Sequence, residues 1–123
     1  MEHTEAMSAF YKSLGMEVTV SEYLVQVYLG SQMINFHRPE LWQRGFSLRA
    51  PAARPPCGDL CFVWSGTPEA LRQALDAAGA VVEEGPVERH GGRKAKASSV
   101  YTRDPDGNLL EFMSYPDEGA DAG

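Results

Sequence analysis

The same order of local signals runs through this chain twice, and any fold proposed for it has to accommodate that repetition. In the first half, Ala6, Met7, Phe10, Tyr11 and Leu14 share the spacing of one helix face, and Gly15 follows as a left-handed stop. Three short runs rich in Val, Tyr, Ile and Phe come next, at residues 16–20, 23–29 and 32–37, with Gly30-Ser31 between the last two. They read as strands, the last pair as a hairpin. The second half opens with a strand at 59–64. It continues with a helix whose start is Thr67-Pro68-Glu69: a capping hydroxyl, a proline in the first turn and a carboxylate facing the dipole. Leu71, Ala74, Leu75 and Ala78 form its apolar face and Gly79 ends it. A short strand at 81–83 and a mobile polar loop at 84–97 are predicted next, then strands at 98–103 and 109–115 joined by Asp104-Pro105-Asp106-Gly107. The helix-ending glycines lie 64 residues apart and Phe36 and Phe112 lie 76 apart, so the polar loop absorbs the difference. The strand at 59–64 has no counterpart ahead of the first helix.

The division that follows is a first unit at 1–37, a proline-rich linker at 38–58 with one helical turn around Leu41 and Trp42, a second unit at 59–115, and a frayed acidic tail from Pro116. One domain is expected from 123 residues. With 11 Lys+Arg against 17 Asp+Glu, the net charge of −6 gives no basis for binding a phosphate backbone, so nucleic acid is not an expected partner. No apolar run reaches the roughly 18 residues of a membrane span and the N-terminus has no signal-peptide order, so a soluble, cytoplasmic protein is expected. Cys57 and Cys61 are too few for a disulfide framework or a common structural zinc site and read as small apolar fillers.

The period of two in a strand decides where chemistry can sit. Leu109, Glu111, Met113 and Tyr115 share one face of the last strand, which puts the Glu111 carboxylate among apolar side chains. Such a group requires a partner, a hydrogen bond or a metal. Asp59, Cys61 and Val63 share a face of the opening strand of the second unit, and Met33, Asn35 and His37 share a face of the strand that matches Glu111 in the repeat. Two carboxylates, an imidazole and an amide are thereby candidates to converge. The bland alternatives are a Glu111 on a wet sheet face or paired with Arg103, an Asp59 that caps its turn, a satisfied Asn35 amide and a solvent-facing His37. His3 and His90 read as solvent-facing, and Arg89, Arg93, Lys94 and Lys96 as a solvated loop or a lid for an anionic substrate.

The stretches Phe10-Tyr11-Lys12-Ser13-Leu14-Gly15, Glu83-Glu84-Gly85-Pro86 and Tyr101 through Glu111 (YTRDPDGNLLE) resemble the glyoxalase / bleomycin resistance / extradiol dioxygenase families, the vicinal oxygen chelate superfamily. The opening Asp59-Leu60-Cys61-Phe62 resembles single-domain glyoxalase-domain proteins most closely. The resemblance implies an α+β fold of paired βαβββ modules around a cleft, the first module lacking its opening strand, and a homodimer. It implies a divalent metal (Ni, Fe, Mn or Zn) bound to vicinal oxygens of a small-molecule substrate. Glu111 stands at the ligand or base position, with Asp59 as a second ligand and His37 as a substitute nitrogen ligand. Asn35, Cys61, Met113 and Tyr101 are left for the substrate. The family's first His ligand belongs to the absent opening strand, so the expectation is a weak or absent metal. A late start codon, a swapped strand or a lost one would each produce that absence. The implied activity is a metal-dependent lyase or isomerase of glyoxalase type or a ring-cleaving dioxygenase. The alternatives are a metal-free protein that sequesters an aromatic or cationic drug, or a non-catalytic interaction module.

Overall fold

Met7, Phe10 and Tyr11 return to one side of the backbone every three or four residues, and that side of helix α1 (Thr4–Ser13) is buried. Strands β1 (Glu17–Val20), β2 (Leu24–Leu29) and β3 (Gln32–His37) follow as an antiparallel sheet in the order β1-β2-β3, with α1 packed across β1 and β2. Gly30 turns the β2–β3 hairpin at φ +58°, a conformation that L side chains adopt at a cost. The structure is a computed structural model that describes residues 1–44, 53–90 and 96–115.

The expected helical turn is present as α2 (Pro39–Trp42). Strand β4 (Asp59–Val63) and helix α3 (Pro68–Ala77) follow, and Thr67 caps α3 as predicted: its hydroxyl oxygen accepts the Ala70 N–H at 3.1 Å. Strands β5 (Glu84–His90), β6 (Lys96–Arg103) and β7 (Leu109–Ser114) complete a second sheet in the order β4-β7-β6-β5. Here β4 runs parallel to β7 in the register Asp59↔Leu109 through Val63↔Met113, and the other pairs are antiparallel. The fold is the α+β arrangement of paired modules, and among the described residues no strand precedes α1 in the first.

Three expectations are corrected. Residues 84–90, predicted as polar loop, are β5, and the strand expected at 81–83 is not one: pairing with β6 begins at Glu84. A register shift between Glu84 and Val87 holds Gly85-Pro86 as a bulge, which breaks the alternation that betrays a strand. Gly85 has φ +109°, and a Cβ there would run into the Ser99 carbonyl. Gly91, Gly92, Arg93 and Lys94, and the tail from Pro116, lie outside the described residues. Cys57 and Cys61 are exposed free thiols and not core fillers. Cys61 sits at the parity opposite to Leu60 and Phe62, so the strand that buries those two turns it outward.

One apolar cluster joins the modules: Met7, Phe10 and Tyr11 meet Val25 and Val27, and the same cluster contains Phe62, Leu71, Leu75, Leu110 and Phe112. The Phe62 and Phe112 rings stack at 5.2 Å. A buried polar clamp crosses the same junction. The Tyr11 hydroxyl donates to Asp104 Oδ2 at 2.7 Å, and Asn108 Nδ2 donates to that oxygen at 2.9 Å. Asp104 Oδ1 accepts the backbone N–H groups of Asp106 and Asn108, and Asn108 Oδ1 accepts the Gly58 N–H at 2.9 Å. Burial, and then the Asp104 carboxylate, push the Tyr11 hydroxyl far above its ordinary pKa. Asp106 reaches back to α1, accepting the N–H groups of Glu2 and His3 at 2.6 and 2.8 Å. His3 Nδ1 also lies 2.8 Å from Asp106, so this histidine is half-exposed but engaged.

Candidate functional site

The β4-β7-β6 register writes the site in rows. Cys61, Glu111 and Tyr101 stand abreast on three adjacent strands, with Val63, Met113 and Ser99 in the row toward one end and Asp59, Leu109 and Arg103 toward the other. The intervening residues Leu60, Phe62, Leu110 and Phe112 belong to the core, so this face looks away from it. Glu111 is half-buried beside the buried Met113, on the face foreseen from the sequence.

The alternative Glu111–Arg103 pair is not made: Arg103 Nε donates to Glu83 at 2.9 Å. Glu111 is held by Ser99, whose fully buried hydroxyl donates to Oε2 at 2.8 Å. Among the described residues nothing takes Oε1. Asp59 is exposed at the start of β4. The Cys61 thiol is pushed up by partial burial first, then by Glu111 and Asp59, so it stays protonated at neutral pH and is a weak nucleophile.

The other candidates lie elsewhere. Asn35 is exposed on the first sheet, where its Oδ1 accepts from Gln26 Nε2 at 3.2 Å while Gln26 Oε1 accepts from Thr19 at 3.2 Å. In this polar row across β1, β2 and β3, Asn35 holds the place of Glu111 in the second sheet and Gln26 that of Tyr101. His37 ends β3 and, with Asn35, lines a groove of about 340 Å³ between β3 and residues 53–60. Trp42, Arg54, Cys57 and Leu60 share that groove.

The metal implied by the resemblance was compared with these donors. Asp59 and Glu111 come from adjacent strands, but His37 is on the other sheet. Among the described residues no group of three or more His, Cys, Asp or Glu side chains could hold an ion. The donor set of the described residues therefore does not fit a resident metal.

Sequence reasoning missed Ser99, and also Trp42 and Cys57 as groove residues. Ser99 was findable: centring the β6–β7 hairpin on the turn at 104–108 pairs Tyr101 with Glu111 and places Ser99 diagonally across from it on the same face.

No family model matches the chain. It is 37% identical over 98 residues to the virulence protein STM3117 of Salmonella typhimurium, covering 80% of this chain and 65% of that protein. The solved structure of STM3117 superposes with a TM-score of 0.78 at 33% identity, covering 92% of this chain and 88% of that one. The glyoxalase domain-containing protein RDO1 of Mycosarcoma maydis is 39% identical over 111 residues, 88% of this chain and 60% of that protein. The chain thus spans somewhat under two-thirds of the length of these curated relatives. A glyoxalase/bleomycin resistance protein/dioxygenase family enzyme from Burkholderia phytofirmans shares the fold at TM-score 0.64 and 23% identity, over 93% of this chain and 91% of that one. Two modules of matching order, a polar row on the same face of each sheet and these likenesses lead to one conclusion: the chain belongs to the glyoxalase/bleomycin resistance/dioxygenase superfamily, the vicinal oxygen chelate proteins.

Proposed function

We propose that the protein is a small-molecule enzyme of this superfamily in which Glu111 moves a proton on a carbon next to a carbonyl, a lyase or isomerase step. The observation that carries this reading is the Ser99–Glu111 contact. A buried hydroxyl fixes one carboxylate oxygen at 2.8 Å and leaves the other on a half-buried face, the arrangement a general base needs. Glu111 takes the proton and returns it. The Tyr101 hydroxyl and the protonated Cys61 thiol, abreast of it, are the neutral donors on that face for the oxygen that gains charge.

The test is deuterium exchange at the carbon next to the carbonyl in a panel of α-ketoaldehydes and α-hydroxyketones, with and without thiol adducts. Glu111→Gln is expected to slow exchange by about 10²-fold or more. An E111Q variant as fast as the parent protein removes Glu111 from the chemistry.

A second reading, metal-free capture of a cationic or aromatic ligand on the same face, is favoured by the absence of a three-donor group among the described residues. Asp59 and Glu111 would supply the charge and Met113 the apolar surface. Thermal shifts with Ni, Fe, Mn and Zn separate it from a metal-dependent enzyme. The capture reading expects stabilisation by organic cations and none by the metals.

A further inference from the structure

We propose that a cavity between α3 and the core-facing side of β6 and β7 is a second small-molecule site, taking a monocyclic phenol or alcohol: an apolar ring that carries one uncharged hydroxyl. Its volume is about 240 Å³. The internal repeat shows how the space arises. Aligning the helix-ending Gly15 with Gly79 matches Met7, Phe10, Tyr11 and Leu14 of the first module to Leu71, Ala74, Leu75 and Ala78 of the second. The first set is closely packed, with Met7 and Tyr11 at 0% exposure. In the second, phenylalanine, tyrosine and leucine give way to alanine, leucine and alanine, so α3 carries less bulk to fill the layer beneath it. Leu71, Leu75, Val100 and Pro86 form the apolar walls of the cavity that remains.

Ser98 and Ser114, paired directly across β6 and β7, are its polar wall. Ser114 is only 5% exposed, and its Oγ is shut off from solvent and has no hydrogen-bond partner among the described residues. A buried hydroxyl without a partner weakens the fold that keeps it, so its place in a cavity wall points to a ligand that completes it. A serine hydroxyl both donates and accepts, and so does the hydroxyl of a phenol or an alcohol. The charged lining residues among the described ones are Glu69 and Arg72, exposed one turn apart on α3 and opposite in sign. Arg72 already lies 3.8 Å from Asp76. A charged ligand would give up its hydration there without a matched partner, which favours an uncharged one. The size suits a ring with a substituent, since a cavity of roughly 150 Å³ already admits benzene. The site is separate from the Glu111 face: Ser98, Val100 and Ser114 alternate along their strands with Ser99 and Met113, so the sheet itself stands between the two.

The test follows the side-chain methyl signals of the intact protein by NMR during titration with phenol and with toluene, which has the same shape without the hydroxyl. Phenol is expected to shift the Leu71, Leu75 and Val100 methyls saturably and to leave the Met113 methyl, on the opposite face, unmoved. Ser114→Ala keeps the cavity and removes the orphaned hydroxyl. It is expected to weaken phenol about tenfold and to leave toluene unchanged. Because the variant loses a buried unpaired group, its Tm should equal or exceed that of the parent protein. Four outcomes overturn the proposal: unmoved Leu71, Leu75 and Val100 methyls at millimolar phenol, equal phenol affinity in the parent and S114A, shifts confined to Met113, or tighter binding of benzoate or benzylammonium than of phenol. The last would mean that Arg72 or Glu69 selects a charged ligand.

Discussion

β3 and β7 are the same strand in two modules, and they live in different surroundings. β7 lies between β4 and β6, and its core-facing Leu110 and Phe112 are sealed; among the described residues β3 pairs with β2 alone, and Ile34 and Phe36 stay partly open. Their outward residues differ too. Glu111 is fixed by a buried serine among apolar neighbours, whereas Asn35 sits in an exposed amide row with Gln26. A sheet that covers a strand on both edges can also dehydrate the polar group it displays. The module with the covered strand therefore carries the half-buried carboxylate, and the other displays an amide row at an exposed position.

The widest gap between the modules is expected in their phenylalanines. Phe112→Ala leaves a sealed cavity and should cost about 3–5 kcal/mol, while Phe36→Ala, next to open groove, should cost less than half of that. Urea unfolding of both variants measures it, and equal losses would mean that β3 is as covered as β7.

Next in size is the clamp. Asp104→Ala removes the acceptor of the Tyr11 hydroxyl, the Asn108 amide and two backbone N–H groups, and should cost about 3 kcal/mol. The first module's matching turn, Gly30-Ser31, has no such acid, so Ser31→Ala should be close to neutral. Losses of similar size would show that the junction is not anchored from the second module.

Alkaline titration probes the same junction. The folded state holds the Tyr11 proton more tightly than the unfolded chain, whose tyrosines titrate near pH 10. This contribution is complete below about pH 10 and is lost as the pH rises above it, because the native state then binds more protons than the unfolded one. Tyr11→Phe should be less stable at neutral pH and should lose much of the decline above pH 10; denaturant midpoints from pH 8 to 11 test this.

The smallest contrast lies in the helix starts. α3 is capped by its own Thr67, whereas the N-cap of α1, His3, makes no side-chain cap and the backbone there is served by Asp106 from the other module. Thr67→Ala should cost about 1 kcal/mol, and His3→Ala less. A larger loss for His3 would show that the histidine, and not the Asp106 carboxylate, secures α1.

Much of this architecture was legible because its causes are local. The 3.6-residue spacing of Met7, Phe10 and Tyr11, the Thr67-Pro68 start and the alternation around Glu111 each act within a turn or two of chain, and the structure agrees at these places. β5 was not legible, because the Gly85-Pro86 bulge belongs to its pairing with β6 and disturbs the very alternation that would announce it. The candidate site was legible in half. Parity grouped Glu111 with Met113 on one strand and Asp59 with Cys61 on another, but it could not tell that His37 and Asn35 belong to a different sheet.

The sequence alone determined the repeat and the face on which Glu111 stands, since periodicity is a property of neighbouring residues, and its motifs carried the resemblance to the family. Only the tertiary structure decided that Ser99 holds that carboxylate, that both cysteines face outward, that Asp104 and Asp106 serve the helix of the other module, and that β3 pairs with β2 alone among the described residues. Each depends on register between segments distant in the chain, where a shift of one residue would turn every side chain to the opposite face.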